Sequence, residues 1–466
     1  MGLISLPYLF IEKKVKKVYS IFLAIIILPP VIIDLSHLLL FKKPIEPTSL
    51  FAIYSTNKKE VVEFIASYFS IYLIFVIGFL FLVIYVLIYI NSKTHYKRSI
   101  SIFHYSYLIL SILILITTLP RFSKNYLNEI SFVKIANTYI NYKKELKKMV
   151  ILGRSHLIKD IKVSRKTYNN SETHIIIIGE STSTYHMKLY GYERNTNPRL
   201  QEIKHELSVF NNVNSSAVES VASLKDVFLL KNKNNKNTLY TLIDCLNAAG
   251  FETFWLSNQN YIGEHCTPIT LIGERSKHVY FINNLHINNF DENIFPKLDE
   301  VIAYKKRKKI IVVHLMGSHV DYKYRYPKRF KNFTDSPHSA FGEKANEIIN
   351  HYDNSILYND YIVEKIIRKI RQLSGLNSVL FFADHGDEVY DKRDFFGHNK
   401  ALTPSKYMSS VPFILWRSSL FEKEKNIAIN NKKQYSLKDF SHTYQDLLGI
   451  NSTFFIKEKS FFYREN

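Results

Sequence analysis

The chain has 466 residues, with 62 Lys and Arg against 41 Asp and Glu, and a formal net charge of +21. That length holds one large domain plus further segments. No helix-turn-helix, zinc-finger or RNA-binding signature accompanies the basic charge, so nucleic acid is not an expected partner. The mean hydropathy of −0.10 averages two unlike parts. Phe69–Ile90 runs 22 residues without a charge and Ser99–Leu119 runs 21. Each is long enough to cross about 30 Å of hydrocarbon as a helix. Val18–Phe41 is a weaker third span, because it carries Pro29-Pro30, Asp34 and His37. Lys13, Lys14, Lys16 and Lys17 precede it, and Lys93, Lys97 and Arg98 lie between the second and third spans. With about three spans in residues 1–120, both clusters fall on one side, which the positive-inside rule makes cytoplasmic. Everything after Arg121 then lies outside. The first span lacks a small-x-small cleavage site, so it reads as an uncleaved anchor.

Residues 121–172 form a connector. Phe132, Ile135, Tyr139, Tyr142, Leu146 and Met149 share one helical face, flanked by Lys143, Lys144, Lys147 and Lys148. An amphipathic helix lying on membrane lipids and a helix packed on a domain both fit. From 173 to 466 the pattern is α/β. Apolar runs at 174–178, 251–256, 310–315 and 379–383 read as buried strands. Helical patterns fill Thr238–Ala249 and Glu347–Leu373, stopping at Gly250 and Gly375. Strands alternating with helices predict a mainly parallel sheet covered by helices on both faces. Cys245 and Cys266 are the two cysteines, and their spacing leaves a disulfide open.

The chemistry collects at strand ends, where open α/β sheets present ligands. Glu180 follows the first run, His319 the third, and Asp384 and His385 the fourth, with His398 just beyond. A lone histidine is more often structural. Several carboxylates and imidazoles at matching topological positions point instead to a metal. The mixture suits Zn2+, with Mn2+ or Mg2+ less favoured. A nucleophile is sought in Ser215–Leu224, which leads into a helix whose N-terminal N–H groups would cradle a phosphate. Ser216, Ser220 and Ser223 are all candidates, and simple turn formation is the plain alternative.

These residues form an ordered set of motifs. They are GES with YGYxRxTxP (Gly179–Pro198), SxxxxSxxSL (Ser215–Leu224), WLSNQ (Trp255–Gln259) and HxxGSH (His314–His319). YDNSILYND (Tyr352–Asp360), DHGD (Asp384–Asp387) and GH (Gly397-His398) follow. Over roughly residues 170–450 the chain resembles the membrane-bound phosphoethanolamine transferases of the alkaline-phosphatase/sulfatase superfamily. The resemblance implies N-terminal transmembrane helices followed by a sulfatase-like domain in the periplasm, anchored in a bacterial inner membrane. It implies one or two zinc ions, with Glu180, Ser220, Asp384 and His385 as ligands. Ser220 stands where the family usually has a threonine nucleophile. His319 and His398 match histidines that bind a second zinc or the phosphate and assist proton transfer, and Asn258 lies near a substrate-binding asparagine. The implied donor is phosphatidylethanolamine and the acceptor lipopolysaccharide, its core favoured over lipid A because few cysteines are present. A periplasmic glucan acceptor, glycerol-phosphate transfer and a non-catalytic lipid-binding envelope protein are the alternatives. The CxPxR-type motif of formylglycine sulfatases is absent.

Overall fold

The computed structural model describes residues 13–41, 71–93, part of 136–147, and 161–463. Within the last range, 231–239, 260–267, 284–289, 336–338, 399–402, 426 and 428–432 are excluded. The chain divides into two compact units, 1–145 and 146–466. In the first, α1 (Lys13–Phe41) and α2 (Ile71–Lys93) are helical, α1 continuing through Pro29-Pro30. Phe75, Phe79 and Tyr85 of α2 are 64–70% exposed. Among the residues whose side chains are described, no stretch of helix is long and apolar enough to cross a membrane. The sequence of α2, however, carries no charge until Lys93. Ser99–Leu119, Cys266 and most of the expected connector lie outside the described residues. Within the connector, 136–137, 139–141, 143–144 and 147 are helical.

The second unit opens with β1 (Val163–Arg165) and β2 (Glu172–Gly179). All four isoleucines 175–178 are 0% exposed, because helices cover both sheet faces. β3 (Leu207–Val209) and α3 (Ser220–Phe228) follow. Then α4 (Leu242–Ala248) starts at a capping box between Thr241 and Asp244. That box places its start after the expected Thr238. Next come β4 (Glu252–Ser257), β5 (His278–Phe281), α5 (Phe295–Ala303) and β6 (Lys308–His314). The chain ends through α6 (Glu343–Arg371), β7 (Leu376–Ala383), β8 (Phe413–Arg417), α7 (Phe440–Leu447) and β9 (Ile450–Ser452).

The main sheet has seven strands in the order β3-β8-β7-β2-β6-β4-β5. The run from β7 to β5 is parallel throughout, while β8 lies antiparallel to both neighbours. The four expected strands are β2, β4, β6 and β7. Ile176 and Ile178 point into one core with Leu224 of α3, Leu246 of α4 and Phe440 of α7. Ile175 and Ile177 point into the other with Leu298 of α5 and Tyr352 and Ile356 of α6. Register aligns the strand tips: Gly179 pairs with Ala383, Ile178 with His314, and His314 with Ser257. The residues that follow therefore emerge at one edge. Separately, β1 pairs with β9, so a strand inside the expected connector belongs to the second unit.

Candidate active site

Gly179 and Ala383 sit side by side, so Glu180 and Asp384 leave the sheet as neighbours. The chain turns sharply at once: Ser181 has φ +55°, a left-handed conformation that is costly outside glycine. Its N–H donates to Asp384 Oδ1 at 3.1 Å and its hydroxyl to Glu180 Oε1 at 2.9 Å. Tyr352 of α6 braces the same turn, donating to the Ser181 carbonyl at 2.7 Å and accepting from the Ser183 N–H at 2.9 Å.

Ser220 opens α3, where free N–H groups favour negative charge. Its Oγ lies 3.2 Å from each Glu180 oxygen and 3.1 Å from His385 Nε2. The rival serines do other things. Ser223 is buried and donates to the Asp384 carbonyl at 2.6 Å, and Ser216 Oγ is buried without a hydrogen bond. His385 Nδ1 lies 3.1 Å from the Gly386 carbonyl. A carbonyl only accepts, so Nδ1 carries a proton and Nε2 is the atom turned toward Ser220.

Glu180, Asp384 and His385 place one ligand atom each within 4.8 Å of one another. Asp384 Oδ2 is buried and makes no hydrogen bond. His385 Nε2 is 3.5 Å from it and 3.3 Å from Glu180 Oε1. Burial would raise the Glu180 carboxyl, but His385, His319 and His398 hold it well below the usual carboxylate range. Burial and the Glu180 charge push Asp384 the other way, up to about 8. Burial would lower His385, but Asp384 and Glu180 outweigh it and push it up to about 10. Two buried carboxylates this close hold a proton unless a cation replaces it. The donors fit a divalent metal: two carboxylates, one imidazole nitrogen and a hydroxyl.

His398 stands beside this group, its ring centroid 4.0 Å from that of His385. His319 is half-buried, and its Nδ1 is buried without a hydrogen bond. It is among the histidines that hold the Glu180 carboxyl low. Asn258 is fully buried, and its side-chain amide donates to Asp291 Oδ1 at 2.8 Å. Asp291 in turn accepts from the Met316 and Gly317 N–H groups at 2.8 and 2.9 Å. That clamp holds the turn leading to His319, and sequence reasoning missed Asp291. His314, the first histidine of its motif, is held neutral, burial lowering it to about 4. Its Nδ1 is 3.4 Å from Ser257 Oγ, inside the fold.

A family model described as Sulfatase matches residues 172–450. The phosphoethanolamine transferase EptC of Escherichia coli K12 is 27% identical over 96% of this chain and 82% of that protein. A crystal structure of the C-terminal periplasmic domain of E. coli EptC, in complex with Zn, superposes with a TM-score of 0.61. The two share 30% identity over 66% of this chain and 91% of that one. The integral membrane lipooligosaccharide phosphoethanolamine transferase A of Neisseria meningitidis has a TM-score of 0.71 at 19% identity. It covers 96% of this chain and 87% of that one, a likeness of fold.

Proposed function

The chain belongs to the sulfatase family, in its phosphoethanolamine transferase branch, and from this premise we propose that it moves phosphoethanolamine from phosphatidylethanolamine to lipopolysaccharide through a covalent intermediate on Ser220. The observation that carries the reading is the meeting of Ser220 Oγ with Glu180 and His385 at 3.1–3.2 Å. Zn2+ held by Glu180, Ser220, Asp384 and His385 would lower the pKa of the Ser220 hydroxyl and neutralise phosphoryl charge.

Ser220 Oγ attacks phosphorus, and the bond from phosphorus to the diacylglycerol oxygen breaks. The Ser220 proton has the Glu180 carboxylate beside it. The departing oxygen takes a proton from His398 or His319, and diacylglycerol leaves. An acceptor hydroxyl or phosphate P–OH then attacks phosphorus and gives its proton to the histidine that served as acid, while Ser220 departs and takes back the proton it lost. The α3 N-terminus supplies N–H donors to the phosphoryl oxygens in both steps. Asn258 acts through Asp291 on the turn that carries His319. The uncharged α2 sequence supports an inner-membrane anchor with the second unit in the periplasm. The lipopolysaccharide core is the acceptor this reading favours.

Incubation of the full chain with phosphatidylethanolamine, followed by peptide mass analysis, should find phosphoethanolamine on Ser220. An adduct on Ser216 or Ser223 refutes the nucleophile, and no adduct refutes the mechanism. Mass analysis of core oligosaccharide and lipid A from cells with and without the protein tests the acceptor. A gain confined to lipid A refutes the core.

A further inference from the structure

His398 is not free to turn. Its Nδ1 lies 2.8 Å from Asp387 Oδ1, and Tyr322 OH donates to the other oxygen, Asp387 Oδ2, at 2.7 Å. Asp387 is 0% exposed and Tyr322 is 2% exposed. The Tyr322 ring packs edge-on against Tyr352 at 4.8 Å and against Phe396, two residues before His398, at 6.3 Å. The carboxylate therefore has one oxygen anchored on a rigid phenol and one offered to the imidazole. A carboxylate only accepts, so Nδ1 keeps its proton throughout, and Nε2 is the working nitrogen of His398: the proton it delivers is a second one, carried on a ring whose charge Asp387 balances.

We infer that Asp387 and Tyr322 are positioning residues that orient His398, holding its Nδ1–H so that the Nε2 proton is the one delivered to the leaving oxygen. The inference rests on the reading of His398 as proton donor. It also separates Asp387 from the metal ligands, although His385, Asp387 and His398 place ligand atoms within 4.8 Å of one another. A ligand would lose metal when mutated, whereas a positioning residue would lose proton delivery.

The test uses the full chain in detergent and a series of phosphoethanolamine esters. Leaving groups run from p-nitrophenol, which departs without a proton, to a simple alkanol, which does not. Measured in the first half-reaction, as alcohol or phenol released per chain before the acceptor attacks, Asp387→Asn should slow the alkyl ester about 100-fold and the p-nitrophenyl ester less than about threefold. His398→Gln should slow the alkyl ester at least as far as Asp387→Asn does, and the double variant should be no slower on that ester than His398→Gln alone. Tyr322→Phe should fall between wild type and Asp387→Asn, which keeps the test open if the latter does not fold. Metal per chain should stay at the wild-type value in all variants. Equal slowing across the series, additive losses in the double variant, or loss of an ion from Asp387→Asn would each overturn the inference. A wild-type chain active on the series but inert on phosphatidylethanolamine refutes the donor alone.

Discussion

His186 sits between two carboxylates, with Nδ1 2.7 Å from Asp353 and Nε2 3.3 Å from Asp391. Arg194 and Tyr192 complete the cluster on Asp353 at 2.8 and 3.0 Å, which gives the YGYxRxTxP motif its physical meaning. Burial would lower His186, but Asp353 and then Asp391 outweigh it and push it up to about 10. A histidine raised this way contributes stability in full below its unfolded pKa of about 6.5. That contribution fades as pH rises toward 10. His186→Gln should therefore cost about 3–5 kcal/mol at pH 6, the cost of breaking a buried pair. The gap to wild type should narrow steadily by pH 10, measured by denaturant unfolding across that range. A gap independent of pH would mean that His186 is neutral in the fold. Glu180, Asp384 and His385 could be gathered from the sequence because they follow two strand ends, whereas Ser220 was one of three candidate serines and only the family resemblance singled it out. Asp291 and the contact of Tyr322 with Asp387 were not, since they join residues 25–65 apart with no local pattern.

Helix α6 reads in sequence as an apolar stripe, and its inward face does fill one core. What the stripe does not reveal is the buried polar face formed by YDNSILYND. Tyr352 holds the Ser181 turn, Asp353 holds His186, and Asn354 accepts from the Asn332 and Phe333 N–H groups at 2.8 Å. Ser355 donates to Ser318 at 2.9 Å, and Asp360 accepts from Arg199 and Leu200 at 3.0 Å. One helix thus pins loops that surround the active edge. The four central strands were legible as continuous apolar runs. The antiparallel β8 was not, because a five-residue run carries no information on direction. Two glycines separate loop geometry from chemistry. Gly317 has φ +51°, and an added Cβ would sit 2.7 Å from the Glu180 nitrogen. Gly375, between α6 and β7, has φ +114°, and its Cβ would collide with the Ser171 carbonyl. Alanine at either should cost about 2–4 kcal/mol. Only Gly317→Ala should also weaken metal binding in a competitive chelator titration. Equal metal affinity in the two variants would show that the Glu180 backbone tolerates displacement.

At the scale of the whole molecule, the chain is two compact units with different surfaces. The second contains every member of the active site and two cores, one on each face of its sheet. The first turns large apolar side chains of α1 and α2 outward. The anchoring proposed for the first unit is therefore separable from the chemistry, and the division can be tested by cutting the chain. The cut matters, because β1 pairs with β9 and Arg165 lies 2.6 Å from the buried Glu172. A fragment from 161 to 466 keeps both contacts, whereas one from 173 loses them and leaves the sheet's first strand truncated. The longer fragment should bind metal with the stoichiometry of the full chain. It should also release p-nitrophenol from the soluble phosphoethanolamine ester at a similar rate. On phosphatidylethanolamine in vesicles, the proposed donor, it should be slower by about 100-fold, since it lacks the proposed anchor and with it a high local concentration of lipid. The shorter fragment should unfold at lower denaturant than the longer one. Undiminished vesicle activity in the 161–466 fragment would show that the first unit adds nothing to donor capture, and failure to bind metal would show that the site needs both units.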